Sequence, residues 1–320
     1  MTAAALPRET DAALLARIGP DAIASRERAR GRRRLVTGLL FMAPALLLVA
    51  ALLLWPVAYD VWLSLADWKK FAGWDEFAGV ANYAKMGSNP FFGRALVNTM
   101  VWVVASVTLP VALGLGLALL LRDVRGEGLL KGILFLPRIL APTAVGVLWY
   151  HVYAPHGLLN AGLGLVAGRE VDVGWLFQDG TITPAIIATF VWQTVGLVMV
   201  LLLLGLAAIP TDPLEAARID GASPVQTFWH ITLPLLAPTL LMVTILSVLA
   251  GFTVFDLLWV MGSSYPAQRT LSLTVYMYFE AFQKGAWSYG AAVAVVIGLV
   301  VLGVTWAQAL LQARVDRLVR

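Results

Sequence analysis

The chain has 320 residues, of which 60% are hydrophobic and 13% charged, and its mean hydropathy is +0.81. This apolar share is well above that of soluble domains, so the composition predicts a membrane protein. The formal net charge of +4 would suit a nucleic-acid partner, but the basic residues gather at the ends of apolar segments, which favours a role in membrane topology and no nucleic-acid partner. Because cysteine is absent, there is no disulfide, thiolate metal site or cysteine nucleophile.

Six apolar stretches are long enough to cross a bilayer, and they predict an all-α membrane protein with about six transmembrane helices. In chain order they cover about residues 35–57, 95–121, 132–153, 183–206, 235–261 and 287–311. The predicted domains are a tail at 1–34, a membrane domain at 35–311 and a second tail at 312–320. Gly114 and Gly116 in the second span are expected to let a neighbouring helix approach closely.

The distribution of Lys and Arg predicts that both the N-terminus and the C-terminus are cytoplasmic. Of the 23 basic residues, 15 lie in segments expected inside the cell and 7 in segments expected outside. Arg138 falls within the third span, and we expect it to snorkel to the inner edge of the membrane. The chain is thus predicted to be a multi-pass protein of the cell membrane.

The polar segment at 208–234 is the longest interruption in the C-terminal half, and it predicts two short capped helices. For the first helix, we expect Asp212 as the N-cap, Pro213 at the first helical position and Glu215 as the acidic partner of a capping box. Gly221 is expected to end this helix in the left-handed conformation.

The start signal repeats directly after this glycine. Ser223 is predicted to cap the second helix, with Pro224 at its first position and Gln226 three residues after the cap. Apolar and charged side chains of the first helix are expected to form a docking surface for another protein. The apolar members are Leu214, Ala217 and Ile219, and the charged ones are Glu215, Arg218 and Asp220.

This segment resembles the signature loop of binding-protein-dependent ABC importer permeases. The matching residues are Glu215-Ala216-Ala217, then Asp220-Gly221-Ala222, then Ile231 followed by Leu233-Pro234. The resemblance implies an ABC importer type I permease fold, in which this loop is the cytoplasmic coupling helix that sits in a cleft of the ATP-binding subunit. A plain helix-turn-helix between two spans, or a DNA-reading helix pair, is the alternative. DNA binding would need several basic residues here, and Arg218 is nearly alone.

The same resemblance implies the rest of the assembly. It predicts a second permease subunit, preferably a different chain although a homodimer stays open, with two ATP-binding subunits and an external solute-binding protein. The chain has no G-x-x-x-x-G-K-[ST] loop, so ATP and Mg are expected to be bound by the partner ATPase, and no enzymatic activity is expected here. Shorter matches to the sugar-type branch at 77–83, 254–256 and 276–290 imply a carbohydrate or a related polyhydroxylated solute.

Few polar side chains within the spans are candidates for contact with a solute. Asp256 is the most costly of them to place in lipid, so it is either an acceptor for sugar hydroxyls in the pathway or a structural partner near the outer interface. Gln193 and Asn98 are weaker pathway candidates, because amides in membrane helices more often join helices together. The three histidines are too scattered for a metal site.

Other functional classes remain possible on the sequence alone. An ion-coupled secondary transporter would need several intramembrane ionisable groups, where this chain offers mainly Asp256. A permease of the same ABC class for a non-sugar solute and a membrane scaffold that transports nothing are the further alternatives.

Overall fold

The computed structural model describes residues 20–69, 73–122, 124–262 and 270–319, and helices dominate them. Among these residues, five helices are long and apolar enough to cross a membrane, and a bent helix pair makes a sixth span. The prediction of an all-α membrane protein with about six spans is confirmed. The first 19 residues of the predicted N-terminal tail lie outside the described residues.

The first span is part of a longer helical stretch than the sequence predicted. It consists of α1 (Pro20–Val49), a π-helical turn (Ala50–Leu54) and α2 (Trp55–Ser64). Helical structure therefore begins upstream of the predicted boundary at residue 34 and continues past the predicted end at residue 57. The chain divides into two compact units, one up to Tyr59 and one from Asp60 onward.

A small cap that the sequence did not predict follows the first span. It consists of β1 (Ala66–Lys69), β2 (Gly73–Phe77) and α3 (Ala81–Ser88), and the two strands pair antiparallel. The backbone N–H of Trp68 donates to Ser288 Oγ at 2.8 Å, and its ring meets Trp287 edge-on with centroids 5.1 Å apart. These contacts tie the hairpin to the start of the last span.

The remaining elements form the helical bundle. They are α4 (Pro90–Leu120), α5 (Glu127–Ile139), α6 (Pro142–Val152), α7 (Leu158–Ala167), α8 (Ile182–Ala207), α9 (Thr211–Ile219), α10 (Pro224–Thr227), α11 (Leu233–Thr253), α12 (Asp256–Met261), α13 (Leu273–Tyr278) and α14 (Trp287–Val319). Helix α8 is central, since it packs against α4, α5 and α11. Half of its apolar stretch is buried, as expected for a helix enclosed by others.

The predicted third span is not one straight helix. Helices α5 and α6 meet at an angle of 99°. Leu140 and Ala141 are extended between them, because the ring of Pro142 disfavours helical backbone in the residue before it. The break frees the carbonyl of Leu140, which accepts a hydrogen bond from Gln193 Nε2 at 3.1 Å.

The fifth span also differs from its prediction. Helix α10 passes through a π-helical turn (Phe228–Thr232) directly into α11, so no loop separates the second capped helix from the span. The span then breaks after Thr253, where Val254 is extended, and resumes as α12. Thr274 Oγ1 donates to the carbonyl of Val254 at 2.7 Å, so this carbonyl at the break has a hydrogen-bond partner.

Gly114 and Gly116 in α4 do not play the same role. A Cβ atom added at Gly114 would lie 2.6 Å from Val198 Cγ1 and 3.1 Å from the backbone nitrogen of Met199, so α8 needs a glycine here. At Gly116 nothing lies within 4 Å among the described residues. The close-packing prediction is confirmed for Gly114, whereas Gly116 has no close neighbour among the described residues.

Candidate functional site

Helix α9 begins two residues earlier than predicted. Its N-cap is Pro210, which is extended and offers no side-chain cap, while Asp212 and Pro213 lie inside the first turn. The prediction of an Asp212 cap with Glu215 as its capping-box partner is therefore wrong. Asp212 instead lies where its carboxylate faces the positive end of the helix dipole.

The end of α9 has the geometry that the sequence predicted. Gly221 is left-handed, with φ of +76°. The N–H of Ala222 donates to the carbonyl of Ala217 at 2.9 Å, and the N–H of Gly221 donates to that of Arg218 at 3.2 Å. These two bonds define a Schellman motif, which gives the helix a fixed end.

The second helix starts with a complete capping box. Gln226 N–H donates to Ser223 Oγ at 3.3 Å, and Ser223 N–H donates to Gln226 Oε1 at 2.8 Å, with Pro224 at the first helical position. The prediction for this cap is confirmed. The two motifs follow each other without a spacer, so the backbone between α9 and α10 is held in one shape.

Burial divides the side chains of α9 into an anchoring face and an exposed face. Ala217 is 6% exposed and contacts the bundle, and the half-buried Leu214 packs against the apolar cluster around Leu206 and Leu236. Ile219, by contrast, is 86% exposed. The predicted docking surface is thus wrong for Ala217, and for Leu214 it stays a prediction.

The exposed residues of the helix pair carry both apolar surface and charge. Large exposed apolar side chains are Ile219, Val225 and Trp229, and the other exposed residues include Glu215, Ala216, Arg218, Asp220 and Gly221. Ala222 is half-buried. A rigid loop that presents such a mixture suits docking to another protein.

Leu233 and Pro234 mark the junction with the fifth span. The N–H of Leu233 donates to the carbonyl of Phe228, five residues back, which closes the π-helical turn. Pro234 has no N–H to donate and follows this turn directly. The π-turn therefore lets the chain remain helical through a proline, and the second helix does not end there.

Asp256 links the two broken spans through a hydrogen bond. It is exposed at the start of α12, and its Oδ1 accepts a hydrogen bond from Thr143 Oγ1, in the first turn of α6, at 3.2 Å. Both residues lie just beyond a helix break, at Val254 and at Leu140. The carboxylate is thus open to an outside partner on the side that Thr143 does not occupy.

The other two pathway candidates hold backbone groups. Gln193 is buried and donates to the carbonyl of Leu140 at the first break. Asn98 is half-buried, and its Nδ2 donates to the carbonyl of Leu271 at 2.9 Å. These contacts match the helix-joining role of membrane amides.

Arg138 lies in the last turn of α5. It comes 11 residues after Glu127, where α5 begins, a distance of about 16 Å along a helix with 1.5 Å rise per residue. Its side chain lines a pocket of about 150 Å³ together with residues of α4, α8 and α11. Arg138 is itself exposed, so it borders this pocket at the edge of the bundle.

Sequence reasoning missed a buried carboxylate near the outer end of the last span. Glu280 is 7% exposed and pairs with Lys284, four residues later, at 2.6 Å. Nearby, the hydroxyl of Tyr276 hydrogen-bonds to that of Tyr289 and accepts from Asn89 Nδ2, both at 2.9 Å, and burial raises the pKa of Tyr276. The i, i+4 spacing of Glu280 and Lys284 was the available signal.

The comparisons with known proteins identify the chain as a permease with the ABC importer type I fold. The description "binding-protein-dependent transport system inner membrane component" belongs to the family model that matches residues 109–317. The chain belongs to this family, since the match covers more than half of its length. It is accordingly a multi-pass permease of the inner membrane.

Relatives align over most of the chain. The osmoprotective compounds uptake permease protein GgtC of Synechocystis sp. is 34% identical over 83% of this chain and 95% of its own length. The trehalose/maltose transport system permease protein MalF of Thermococcus litoralis is 32% identical over 84% and 90%, respectively. The lactose transport system permease protein LacF of Rhizobium radiobacter is 31% identical over 85% and 93%.

The fold has a counterpart among solved structures. A chain of a bacterial ABC transporter involved in the import of the acidic polysaccharide alginate superposes with a TM-score of 0.76. It shares 20% sequence identity, and the match covers 91% of this chain and 99% of that one. This likeness establishes the architecture of the chain.

Proposed function

We propose that this permease forms part of the translocation pathway of an ABC importer for a carbohydrate or a related polyhydroxylated solute. The names of the relatives support this solute class, since two of them refer to the sugars trehalose, maltose and lactose and a third to osmoprotective compounds. Asp256, with its exposed carboxylate, is the residue of this chain that we assign to sugar hydroxyls in the pathway.

The second part of the proposal concerns residues 208–234, which we call the coupling loop. The Schellman motif at Gly221 and the capping box at Ser223 hold α9 and α10 rigid, and Leu214 and Ala217 anchor α9 to the bundle. A rigid and anchored element can transmit the movement of a docked subunit, whereas a flexible loop would absorb it. We assign the docked subunit to a separate ATPase, which binds ATP and Mg.

The complete importer would contain two such ATPase subunits, a second permease and an external solute-binding protein. We favour a different chain as the second permease. A bacterial alginate ABC transporter of similar fold has been solved in complex with an alginate pentasaccharide-bound periplasmic protein, which supports the external solute-binding protein.

The test is to weaken coupling without removing the permease from the membrane. In Gly221→Val, the side chain would strain a left-handed residue by roughly 1–2 kcal/mol, although the added Cβ meets nothing within 4 Å among the described residues. We expect normal membrane levels with loss of ATPase binding and of solute-stimulated ATP hydrolysis in the purified complex. Glu215→Lys, which reverses a charge on the exposed face, should have the same effect.

Gly126→Val is the matched control. Gly126 has φ of +80° and also meets nothing within 4 Å among the described residues, but it lies in the loop before α5. It should therefore carry the same backbone strain and leave coupling intact. Full coupling in the Gly221 and Glu215 variants would remove this loop from the role.

Uptake by the complete importer in proteoliposomes distinguishes an ABC importer from the rival class, an ion-coupled secondary transporter. Uptake should require ATP and the binding protein, and an ion gradient without ATP should drive none. ATP-independent uptake driven by such a gradient would favour a secondary transporter.

A further inference from the structure

The pocket that Arg138 lines lies at the level of the bundle centre. Besides Arg138, its polar lining is Ser106, Thr194 and Ser247. Ser106 is 16 residues from the start of α4 and 14 from its end, and Thr194 is 12 from the start of α8 and 13 from its end. Arg138 borders the pocket at this level and is itself exposed.

The charge of Arg138 is not compensated within the described part of the chain. Its guanidinium makes no hydrogen bond or ion pair with the described residues, and no Asp or Glu lines the pocket. Asp256 is six residues past Ala250, the last residue of α11 that lines the pocket, and lies beyond a helix break. A cation at this depth is costly unless it meets water or an anion.

The hydroxyl groups complete a polar lining around this cation. Ser106 Oγ lies 2.9 Å from the carbonyl of Val103 and 3.0 Å from that of Ser247, and Thr194 Oγ1 donates to the carbonyl of Phe190 at 2.7 Å. Both hydroxyl hydrogens are therefore used, and the two oxygens can accept hydrogen bonds from the hydroxyls of a solute. The hydroxyl of Ser247 makes no hydrogen bond to the described residues and can donate. The volume of about 150 Å³ leaves room for a carboxylate or phosphate group.

We propose that Arg138 selects solutes by charge, and that the polyhydroxylated solute carries a carboxylate or phosphate group that binds here. A guanidinium binds both groups through paired, charge-assisted hydrogen bonds. The assignment rests on the proposed transport function, because the solute must pass the pocket. It narrows that function from carbohydrates in general to acidic ones.

The cysteine-free chain allows the potential in the pocket to be measured without knowing the solute. Thr194→Cys places a thiol in the pocket of the complete importer in proteoliposomes. Its modification rates by an anionic and a cationic methanethiosulfonate reagent are then compared, each relative to its rate with a free thiol. With Arg138 present, we expect the anionic reagent to be favoured by roughly tenfold or more.

Three further variants on this background test the assignment to Arg138. Arg138→Gln should abolish the preference, Arg138→Lys should keep it, and Arg125→Gln, which changes an exposed basic residue outside the pocket, should not affect it. If the anionic reagent is not preferred with Arg138 present, a partner subunit neutralises the charge. If neither reagent modifies the cysteine at position 194, the pocket is not accessible to water. Either result overturns the proposal.

Protection then separates an anion site from a merely structural arginine. Galacturonate and glucose 1-phosphate are compared with galactose and glucose at equal concentrations. At least one of the acidic probes should slow modification of Thr194→Cys several-fold more than its neutral counterpart, and only with Arg138 or Lys at this position. Equal protection by acidic and neutral sugars would refute the charge selection, whereas failure of the transport function would appear separately as absent ATP-driven uptake.

Discussion

Asp256 is the residue that we propose as the acidic contact for the solute in the pathway. Its carboxylate accepts from Thr143 and remains exposed beside two helix breaks. Asp256→Asn keeps an acceptor for Thr143 but removes the charge, so the bundle should assemble while uptake falls at least about tenfold, which corresponds to one charge-assisted hydrogen bond. Initial rates of ATP-driven uptake in vesicles measure this effect.

The companion variant for this prediction is Thr143→Val. It removes the hydrogen bond to Asp256 and leaves the carboxylate in place. Its uptake should stay closer to that of the unchanged protein than that of Asp256→Asn. If Asp256→Asn transports with unchanged kinetics, the carboxylate has only a structural role.

Among the elements, the crossing of α4 and α8 depends on the absence of a side chain. Gly114→Ala would force Cβ against Val198 and the backbone of Met199, and we expect the thermal unfolding temperature of the purified complex to fall. Gly116→Ala, two residues further along the same helix, meets nothing within 4 Å among the described residues. Both changes gain about 1 kcal/mol of helix propensity, so their difference isolates the steric term.

A stable Gly114→Ala variant would show that α4 can shift away from α8 without loss of packing. If Gly116→Ala alone is destabilising, this glycine contacts another subunit of the importer.

At the scale of the whole molecule, the predicted orientation in the membrane places the coupling loop on the cytoplasmic side. Single cysteines at Lys85 and Arg169 should react with an impermeant thiol reagent from outside, and cysteines at Gly126 and Ser223 only from inside. All four positions are exposed, so burial does not limit their reaction. Labelling of Ser223 from outside would place the coupling loop on the wrong side for an ATPase.

The sequence by itself determined the class of protein and the local geometry of the coupling loop. Apolar runs fix the number of spans, because a bilayer sets their length. The stop at Gly221 and the capping box at Ser223 were predictable, since each depends on residues within a few positions of each other. The prediction of a cap at Asp212 was wrong, because Pro210 already provides an extended entry two residues earlier.

Only the tertiary structure decided what each polar residue contacts. Gln193 meets Leu140 and Asp256 meets Thr143 across 53 and 113 residues of sequence, and no local pattern reports such distances. The same holds for burial: Ala217 and Ile219 are two residues apart on one helix, yet the bundle covers the first and leaves the second exposed. Arg138 likewise lines a pocket whose other residues come from three helices distant in the sequence, α4, α8 and α11.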